Sequence, residues 1–296
     1  MLRFVWNEAG QLVLGLFGAA LMAAAIATVS APLAKEGLLP FVVAWAGQLN
    51  DYVHMQFGVS AITGLTVLSE LSVRLPLTAG LLLEGMAVAV IVGVPLGFLF
   101  AASAARVTIA PLVQMIAAAP TFVASLALAY VGANILHWPV PINGEVKFAT
   151  SILPQTAEQV QAILLPVLAV GISGAAAVQL ALRRAAVSTG RERWPSYLRR
   201  MGLSAWEVEW LYVVPRVLAG VLSHFGEVVL ALLSAAAVSE WVFSYPGAAD
   251  LFVKSVALHD WSIAGAVLFV FAGLTMTAQF VGRCAARLLT EPGTPP

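Results

Sequence analysis

Three ionisable residues interrupt long apolar stretches of the chain, namely Glu84, His224 and Glu227. A charged side chain at the centre of a bilayer costs at least ~2.5 kcal/mol, so such groups usually face a bundle interior or a wet cavity. His224 and Glu227 are three residues apart, a spacing that places both on one face of a helix. They could line the path of a polar solute or form packing hydrogen bonds with a partner protein. Because the H-E-x-x-H pattern of helical zinc sites is absent from the sequence, we expect neither a catalytic nor a metal site.

A second group of candidate residues follows the apolar stretch that ends near residue 239. Glu240, Phe243, Pro246 and Gly247 come in close succession, and Asp260 lies farther on. Proline followed by glycine indicates a turn. The turn is either an ordinary external hairpin or a re-entrant segment that closes the outer mouth of a pathway, with acidic residues on its rim.

A polar, arginine-rich stretch at residues 194–204 lies in the middle of this apolar chain. Trp194, Leu198 and Met201 have the i, i+4, i+7 spacing of one apolar helix face, and Arg199 and Arg200 flank that face. Such a face is suited to docking on a partner protein, although arginines near a membrane surface also attract anionic lipid. We favour docking because the same stretch carries the signals of folded helices.

Those signals are residues that begin and end helices. Pro195 suits the first turn of a short helix, and Gly202 suits the position just after its last turn. Ser204 with Glu207 three residues later is the pattern of a capping box, which predicts the start of a second helix.

The composition identifies a membrane protein. Of 296 residues, 60% are hydrophobic and only 10% are charged, against about 25% charged in a typical soluble domain. The net charge of zero argues against a nucleic-acid partner, which would need an excess of basic residues. Cys284 is the single cysteine, so one chain cannot form a disulfide or a cysteine-based metal site.

Six segments approach or exceed the ~20 apolar residues that span a bilayer. They are residues 11–31, 77–105, 107–136, 163–182, 217–239 and 261–282. Short loops rich in arginine lie on the cytoplasmic side of a membrane, which places both termini and the arginine-rich stretch in the cytoplasm. The acidic residues expected on the outside are Asp51, Glu70, Glu145, Glu158, Asp250 and Asp260.

This pattern divides the chain into four parts. Residues 1–34 hold the first span, and 35–74 form an extracytoplasmic or interfacial segment. Residues 75–290 form the main membrane region with a cytoplasmic loop at 183–215, and 291–296 are a tail.

The cytoplasmic loop resembles that of ABC-importer permeases. Gly202 and Pro215 have the spacing of the glycine and proline in that family's loop signature. Gly202, Leu203 and Ser204 are similar to the Gly-Leu-Ser of the dipeptide, oligopeptide and nickel branch. A Ser-Tyr-Leu sequence, which includes Tyr197, replaces the usual Glu-Ala-Ala. Further motifs follow in the branch's order, and the whole is similar to its first, B-type permease subunit; these motifs are residues 57–60, 74–78, 93–97, 120–122, 165–166 and 240–251.

The resemblance implies a type I importer fold and a set of partners. A second, C-type permease subunit would complete the pathway, two ATPase subunits would bind ATP and Mg²⁺, and an extracytoplasmic solute-binding protein would deliver the solute. The chain has no G-x-x-x-x-G-K-[ST] motif of its own, so energy would come from the ATPases.

The resemblance also favours the re-entrant gate over the hairpin. The residues implied in ATPase coupling are Trp194, Tyr197, Leu198, Arg199, Arg200, Met201, Gly202, Leu203 and Pro215. Those implied in the pathway or gate are Glu84, His224, Glu227, Glu240, Phe243, Pro246, Gly247 and Asp260.

We therefore expect a non-catalytic, multi-pass permease of the bacterial cytoplasmic membrane that works by alternating access. Its solute would be a peptide or another small polar molecule, including nickel or a metal chelate. The alternative is an ion- or proton-coupled secondary transporter with Glu84, His224 and Glu227 as its relay. Such transporters are often built from inverted repeats, which the sequence does not display.

Overall fold

The computed structural model of the protein describes residues 2–29, 38–101, 120–138, 140 and 157–290, and the all-α prediction is confirmed for these residues. The helices, numbered in chain order, are α1 Leu2–Val29, α2 Leu38–Val53, α3 Val67–Ala101, α4 Thr121–Asn134, α5 Ala157–Arg191, α6 Trp194–Arg200, α7 Ala205–Glu207, α8 Val214–Leu222, α9 Phe225–Val242, α10 Ala248–Ala257 and α11 Trp261–Thr290, with a π-helical segment Val208–Val213 between α7 and α8.

Five of the described helices are long and apolar enough to cross a membrane, which confirms the multi-pass prediction. They match the first, second, fourth, fifth and sixth predicted segments. The spans are Phe4–Thr28, Val67–Leu99, Val160–Arg191, Phe225–Val242 and Trp261–Thr290.

The third predicted segment is covered only in part, because residues 107–119 lie outside the described residues. The described remainder forms α4, which at 14 residues is shorter than a spanning helix needs.

The fifth predicted segment is not one continuous helix, which corrects the sequence prediction. It is divided into α8 and α9 at Ser223 and His224. The Ser223 hydroxyl donates to the Gly220 carbonyl over 2.7 Å, and His224 Nδ1 lies 3.0 Å from the same oxygen. That carbonyl would accept the His224 N–H in a regular helix, and the N–H bonds to Val221 instead. Local side-chain competition for a backbone acceptor explains the break.

Among the described residues, the two 35-residue helices α3 and α5 make the most extensive contact between helices. They pack closely because glycines of α3 face α5. A β-carbon on Gly93 would lie 2.7 Å from the carbonyl oxygen of Ala175, and one on Gly97 would lie 2.9 Å from the Leu182 side chain. Small residues let helix backbones approach where lipid gives no hydrophobic drive for association. Each helix is about 52 Å long at 1.5 Å per residue, so both extend beyond the ~30 Å hydrocarbon core.

The first and last spans, α1 and α11, pack along each other. Tyr52 of α2 is buried against them, and its ring stacks edge-on to Phe57 and Phe269, at 5.3 and 5.6 Å between centroids. At the other end, Arg283 Nη1 donates to the Glu8 carboxylate over 2.9 Å. The start of α1 and the end of α11 therefore lie on the same side of the bundle.

Candidate functional sites

The arginine-rich stretch contains the short helix that the sequence predicts. The helix α6 begins at Trp194 with Pro195 in its first turn and ends at Arg200. Gly202 follows with φ of 97°, a left-handed conformation that costs glycine little and other residues more. Gly202 thus reverses the chain between α6 and the next helix.

The predicted capping box is also present. The Ser204 hydroxyl accepts the Glu207 N–H over 3.2 Å, and the Glu207 carboxylate accepts the Ser204 N–H over 2.8 Å. The Ser204 N–H and the Ser204 hydroxyl both donate to the Glu207 carboxylate, and these two hydrogen bonds hold the pKa of that carboxyl below its ordinary value. The residues after the box continue as the π-helical segment Val208–Val213, which ends just before Pro215 in the first turn of α8. Proline has no N–H for a bond to the carbonyl four residues earlier, and a wider turn accommodates that loss.

The exposed side of this loop differs from the predicted stripe. Trp194 and Leu198 are half-buried, and the Trp194 indole N–H donates to the Glu192 carboxylate. Glu192 also pairs with Arg216 over 3.7 Å, so Trp194 belongs to the loop's own packing. Of the three members of the predicted stripe, only Met201 is exposed.

The exposed apolar surface combines two residues that the sequence analysis named, Tyr197 and Met201, with two tryptophans that it missed. Tyr197 and Met201 are exposed on the first helix and its end, and Trp206 and Trp210 are exposed on the second. The two indole rings lie 5.1 Å apart between centroids. Their i, i+4 spacing in a predicted helix could have revealed the pair. We call these four residues the aromatic face.

Charged residues border the aromatic face. Arg199 pairs with Glu209 over 3.8 Å, and both side chains are about half exposed. Arg200 is exposed in the last turn of α6, and Leu203 is half-buried behind the glycine turn.

Glu240 lies near the C-terminal end of α9, where it is completely buried and hydrogen-bonded to a neighbouring helix. Its carboxylate accepts the Thr78 hydroxyl over 2.7 Å and the Asp250 N–H over 2.9 Å, and it also bonds the Ala249 N–H. Thr78 in turn accepts the Ala248 N–H over 2.7 Å. The first three amides of α10 are therefore satisfied by two side chains from other helices. A buried carboxylate is tolerated here because hydrogen bonds and a helix N-terminus surround it.

The turn before α10 is shaped by that carboxylate. A β-carbon on Gly247 would overlap the Glu240 carboxylate, so the position accepts only glycine without rearrangement. Tyr245 is buried beside it, and its hydroxyl donates to the Leu77 carbonyl over 3.4 Å. Burial raises the pKa of Tyr245, and the nearby charges of Glu240 and Glu84 raise it further. Pro246 joins Tyr245 to Gly247, completing the turn.

The structure thus gathers some predicted pathway residues and separates others. Glu84 is half-buried on α3, two helical turns after Leu77, whose carbonyl accepts the hydroxyl of Tyr245, a residue that the sequence did not single out. Phe243 is fully buried in a cluster with Leu165 of α5 and Ala129 of α4.

The other predicted pair lies elsewhere. His224 occupies the position just before α9 without a side-chain capping bond, and Glu227 pairs with Arg184 over 3.9 Å in an exposed position. Thirteen residues of helix separate Glu227 from Glu240, a distance of about 20 Å along the axis. These two acids therefore belong to opposite ends of the bundle.

Asp260 and Asp250 are buried rather than exposed on a rim, in contrast to the sequence expectation. Asp260 accepts the Ser60 hydroxyl over 2.6 Å and lies at the start of α11. Asp250 accepts from Lys254 over 2.6 Å and faces Arg74 at 3.8 Å. Asp260 therefore connects the start of α11 to the segment before α3, and Asp250 connects α10 itself to α3.

These features define a helical membrane protein with a structured polar loop at one end and a hydrogen-bonded return turn at the other. A family model described as "Binding-protein-dependent transport system inner membrane component" matches residues 85–290, and the chain belongs to that family. The predictions of an ABC-importer permease and of an inner-membrane location are confirmed. The family assignment excludes the alternative of a secondary transporter.

Curated relatives cover most of the chain at low identity. It is 22% identical to the peptide transport system permease protein SapB of Salmonella typhimurium, over 80% of this chain and 81% of that protein. It is also 22% identical to the putrescine export system permease protein SapB of Escherichia coli K12, with the same coverage. The probable D,D-dipeptide transport system permease protein DdpB of the same strain is 26% identical, over 75% of this chain and 71% of that protein.

Proposed function

We propose that this chain is one permease subunit of an ATP-driven importer of short peptides. It would act with a second permease subunit, two ATPase subunits and an extracytoplasmic solute-binding protein. The family assignment and the peptide and dipeptide names of relatives support this function. The observation that carries the coupling role is the aromatic face, a set of exposed apolar side chains on a folded polar loop.

The aromatic face would be the surface that contacts an ATPase subunit. Exposed aromatic and methionine side chains are favourable interface anchors, because they remove much apolar area from water. Tyr197, Met201 and Trp206 provide such anchors, and Arg199 and Arg200 provide charge at their border. Trp194 and Leu198 would act indirectly, by fixing the loop's shape.

Movement of the loop would reach the membrane through the second helix. Residues 205–222 run without interruption from the capping box through the π-helical segment into α8. The helix α8 packs against α5 and α11, and the Arg216–Glu192 pair joins it to the end of α5. ATPase closure would therefore tilt α8 relative to these spans, which is the displacement that alternating access requires.

On the solute side, Glu84 is the better candidate for contact with a cargo. It is half-buried on a spanning helix and could meet the amino group of a peptide. Glu240 is completely buried and its carboxylate is engaged by the return turn. We assign Glu240 a positioning role at the gate.

The coupling proposal is tested with the complete transporter reconstituted in proteoliposomes. The double variant Met201→Ala with Trp206→Ala should lose ATPase co-purification and reduce solute-stimulated ATP hydrolysis at least tenfold. The matched control is Met22→Ala, since Met22 on α1 and Met201 are both 65% exposed. Wild-type ATPase binding and stimulation in the double variant would refute the docking role.

The solute class is tested separately in the same proteoliposomes with labelled dipeptide, putrescine and a metal chelate. We expect ATP-dependent dipeptide accumulation in the direction set by the solute-binding protein. ATP-driven movement of putrescine or of the chelate alone would overturn the peptide proposal without affecting the family assignment.

A further inference from the structure

A cavity of about 360 Å³ lies among the start of α1, the helix α8 and the end of α11. It is remote from the return turn and is not part of the aromatic face. Among the described residues that line it, three are arginines and one is a glutamate; the charged lining residues are Arg216, Arg283, Arg287 and Glu8. The lining therefore carries an excess of positive charge.

Each arginine is held in place while remaining accessible. Arg283 is fixed by Glu8 and Gln11, at 2.9 and 2.7 Å. The Arg287 guanidinium carbon lies 4.5 Å from the centre of the Phe4 ring. Arg216 is held by its ion pair with Glu192; Arg216 and Arg287 are exposed, and Arg283 is partly exposed. A guanidinium that is positioned but not buried presents hydrogen-bond donors to an anion without a large desolvation cost.

The depth of the cavity in the membrane can be estimated from α11. If Trp261 marks the outer interface, as tryptophan at a span end does, Arg283 lies about 33 Å and Arg287 about 39 Å farther along the helix. The hydrocarbon core is ~30 Å thick, so both arginines fall in the opposite headgroup layer. The strongly exposed Trp6, two residues after Phe4, agrees with an interfacial level. The arginine distribution of the loops makes this the cytoplasmic leaflet.

We propose that this cavity binds the phosphate headgroup of an anionic phospholipid from the cytoplasmic leaflet. Guanidinium groups bind phosphate oxygens in a bidentate manner, and basic pockets between spans recognise anionic headgroups. Phe4 and Ala286 would contact the apolar part of the lipid next to its headgroup. Because Arg216 belongs to α8, a bound lipid would join α8 to the α1–α11 pair.

The test is native mass spectrometry of the full chain in mild detergent, titrated with phosphatidylglycerol and with phosphatidylcholine of the same acyl chains. Phosphatidylglycerol should bind at least tenfold more tightly than phosphatidylcholine. Arg216→Gln and Arg287→Gln should each weaken phosphatidylglycerol binding about fivefold, the ratio that corresponds to one arginine near an anionic membrane. Arg287→Lys keeps the charge but not the bidentate geometry, so we expect an intermediate effect.

Arg191→Gln is the matched control, because Arg191 is exposed at the end of α5 and does not line the cavity. Equal binding of the two lipids, or equal weakening by Arg191→Gln and Arg287→Gln, would refute the site. Displacement of phosphatidylglycerol by millimolar inorganic phosphate would also overturn the proposal, since it would indicate a site for free phosphate. The arginine variants should keep the wild-type unfolding temperature, so that a loss of binding is not a loss of fold.

Discussion

Replacing Thr78 with valine should release the return turn from α3. The Thr78 hydroxyl donates to Glu240 over 2.7 Å and accepts the Ala248 N–H over 2.7 Å, so one substitution removes two buried hydrogen bonds. Valine has nearly the same shape but no polar atom. The Ala248 N–H would lose its partner, which costs ~1–3 kcal/mol, and the Glu240 carboxylate would lose one of its three donors, at ~1.5–3 kcal/mol for a hydrogen bond to a charged group, so opening this region costs about 2–6 kcal/mol.

A threonine on α1 provides a close control. Thr28 is 2% exposed and Thr78 is 1% exposed, so the two side chains are equally buried. Among the described residues, the Thr28 hydroxyl donates only to the carbonyls of Ala24 and Ala25 in its own helix, at 3.0 and 2.8 Å. Those carbonyls keep backbone partners when the hydroxyl is removed, so Thr28→Val should cost at most ~1 kcal/mol.

Hydrogen exchange measured by mass spectrometry distinguishes the two variants. In Thr78→Val the amides of residues 247–252 should exchange at least about 30-fold faster than in the wild type, the ratio that corresponds to 2 kcal/mol. Thr28→Val should leave the same peptide within a fewfold of the wild type. Equal exchange of this peptide in the two variants would show that the Thr78 hydrogen bonds do not hold α10 in place.

Two further predictions concern the turn and the capping box. Gly247→Ala should destabilise the protein by ~1–3 kcal/mol, because the new methyl group would overlap the Glu240 carboxylate. The control is Gly273→Ala, whose β-carbon would lie 3.4 Å from Leu16 and which should not destabilise the protein. Equal unfolding free energies of the two variants in mixed micelles would contradict the overlap. The pKa of Glu207 is lowered from 4.5, so the stability that its capping bonds contribute should be complete above pH 4.5 and lost as the pH falls through the folded-state pKa. Hydrogen exchange of the amides of residues 204–210, corrected for intrinsic rates, should show this loss in the wild type. Glu207→Gln keeps the hydrogen bonds but does not titrate in this range, so it should show no such loss.

Sequence reasoning worked best where the physical signal is local. The short helix with Pro195, the left-handed Gly202 and the Ser204–Glu207 box depend on neighbouring residues, and the structure contains all three. The spanning helices were equally predictable, because length and apolarity decide them. The break at His224 depends on a local hydrogen-bond competition that hydropathy does not register.

Features that depend on distant residues were not predictable in the same way. The position of Trp194 depends on Glu192 and Arg216, and a helical stripe alone gives no information about that packing. The burial of Asp260 depends on Ser60, 200 residues away in the sequence. The family resemblance included Ser60 in a motif and Asp260 in the gate, but it did not indicate that the two residues would bond to each other.

The hydrogen bonds of Glu240 suggest an order for insertion into the membrane. Two of its donors, the amides of Ala249 and Asp250, come within ten residues, whereas Thr78 is 162 residues away. A nascent chain could therefore satisfy most of this carboxylate within a helical hairpin as soon as α10 emerges, before long-range contacts form. Local closure needs little loop entropy, so it should precede docking onto the already inserted α3. Glu240 would then enter the membrane with α10 already bound to it, and it would contact its remaining partner, Thr78 of the previously inserted α3, last.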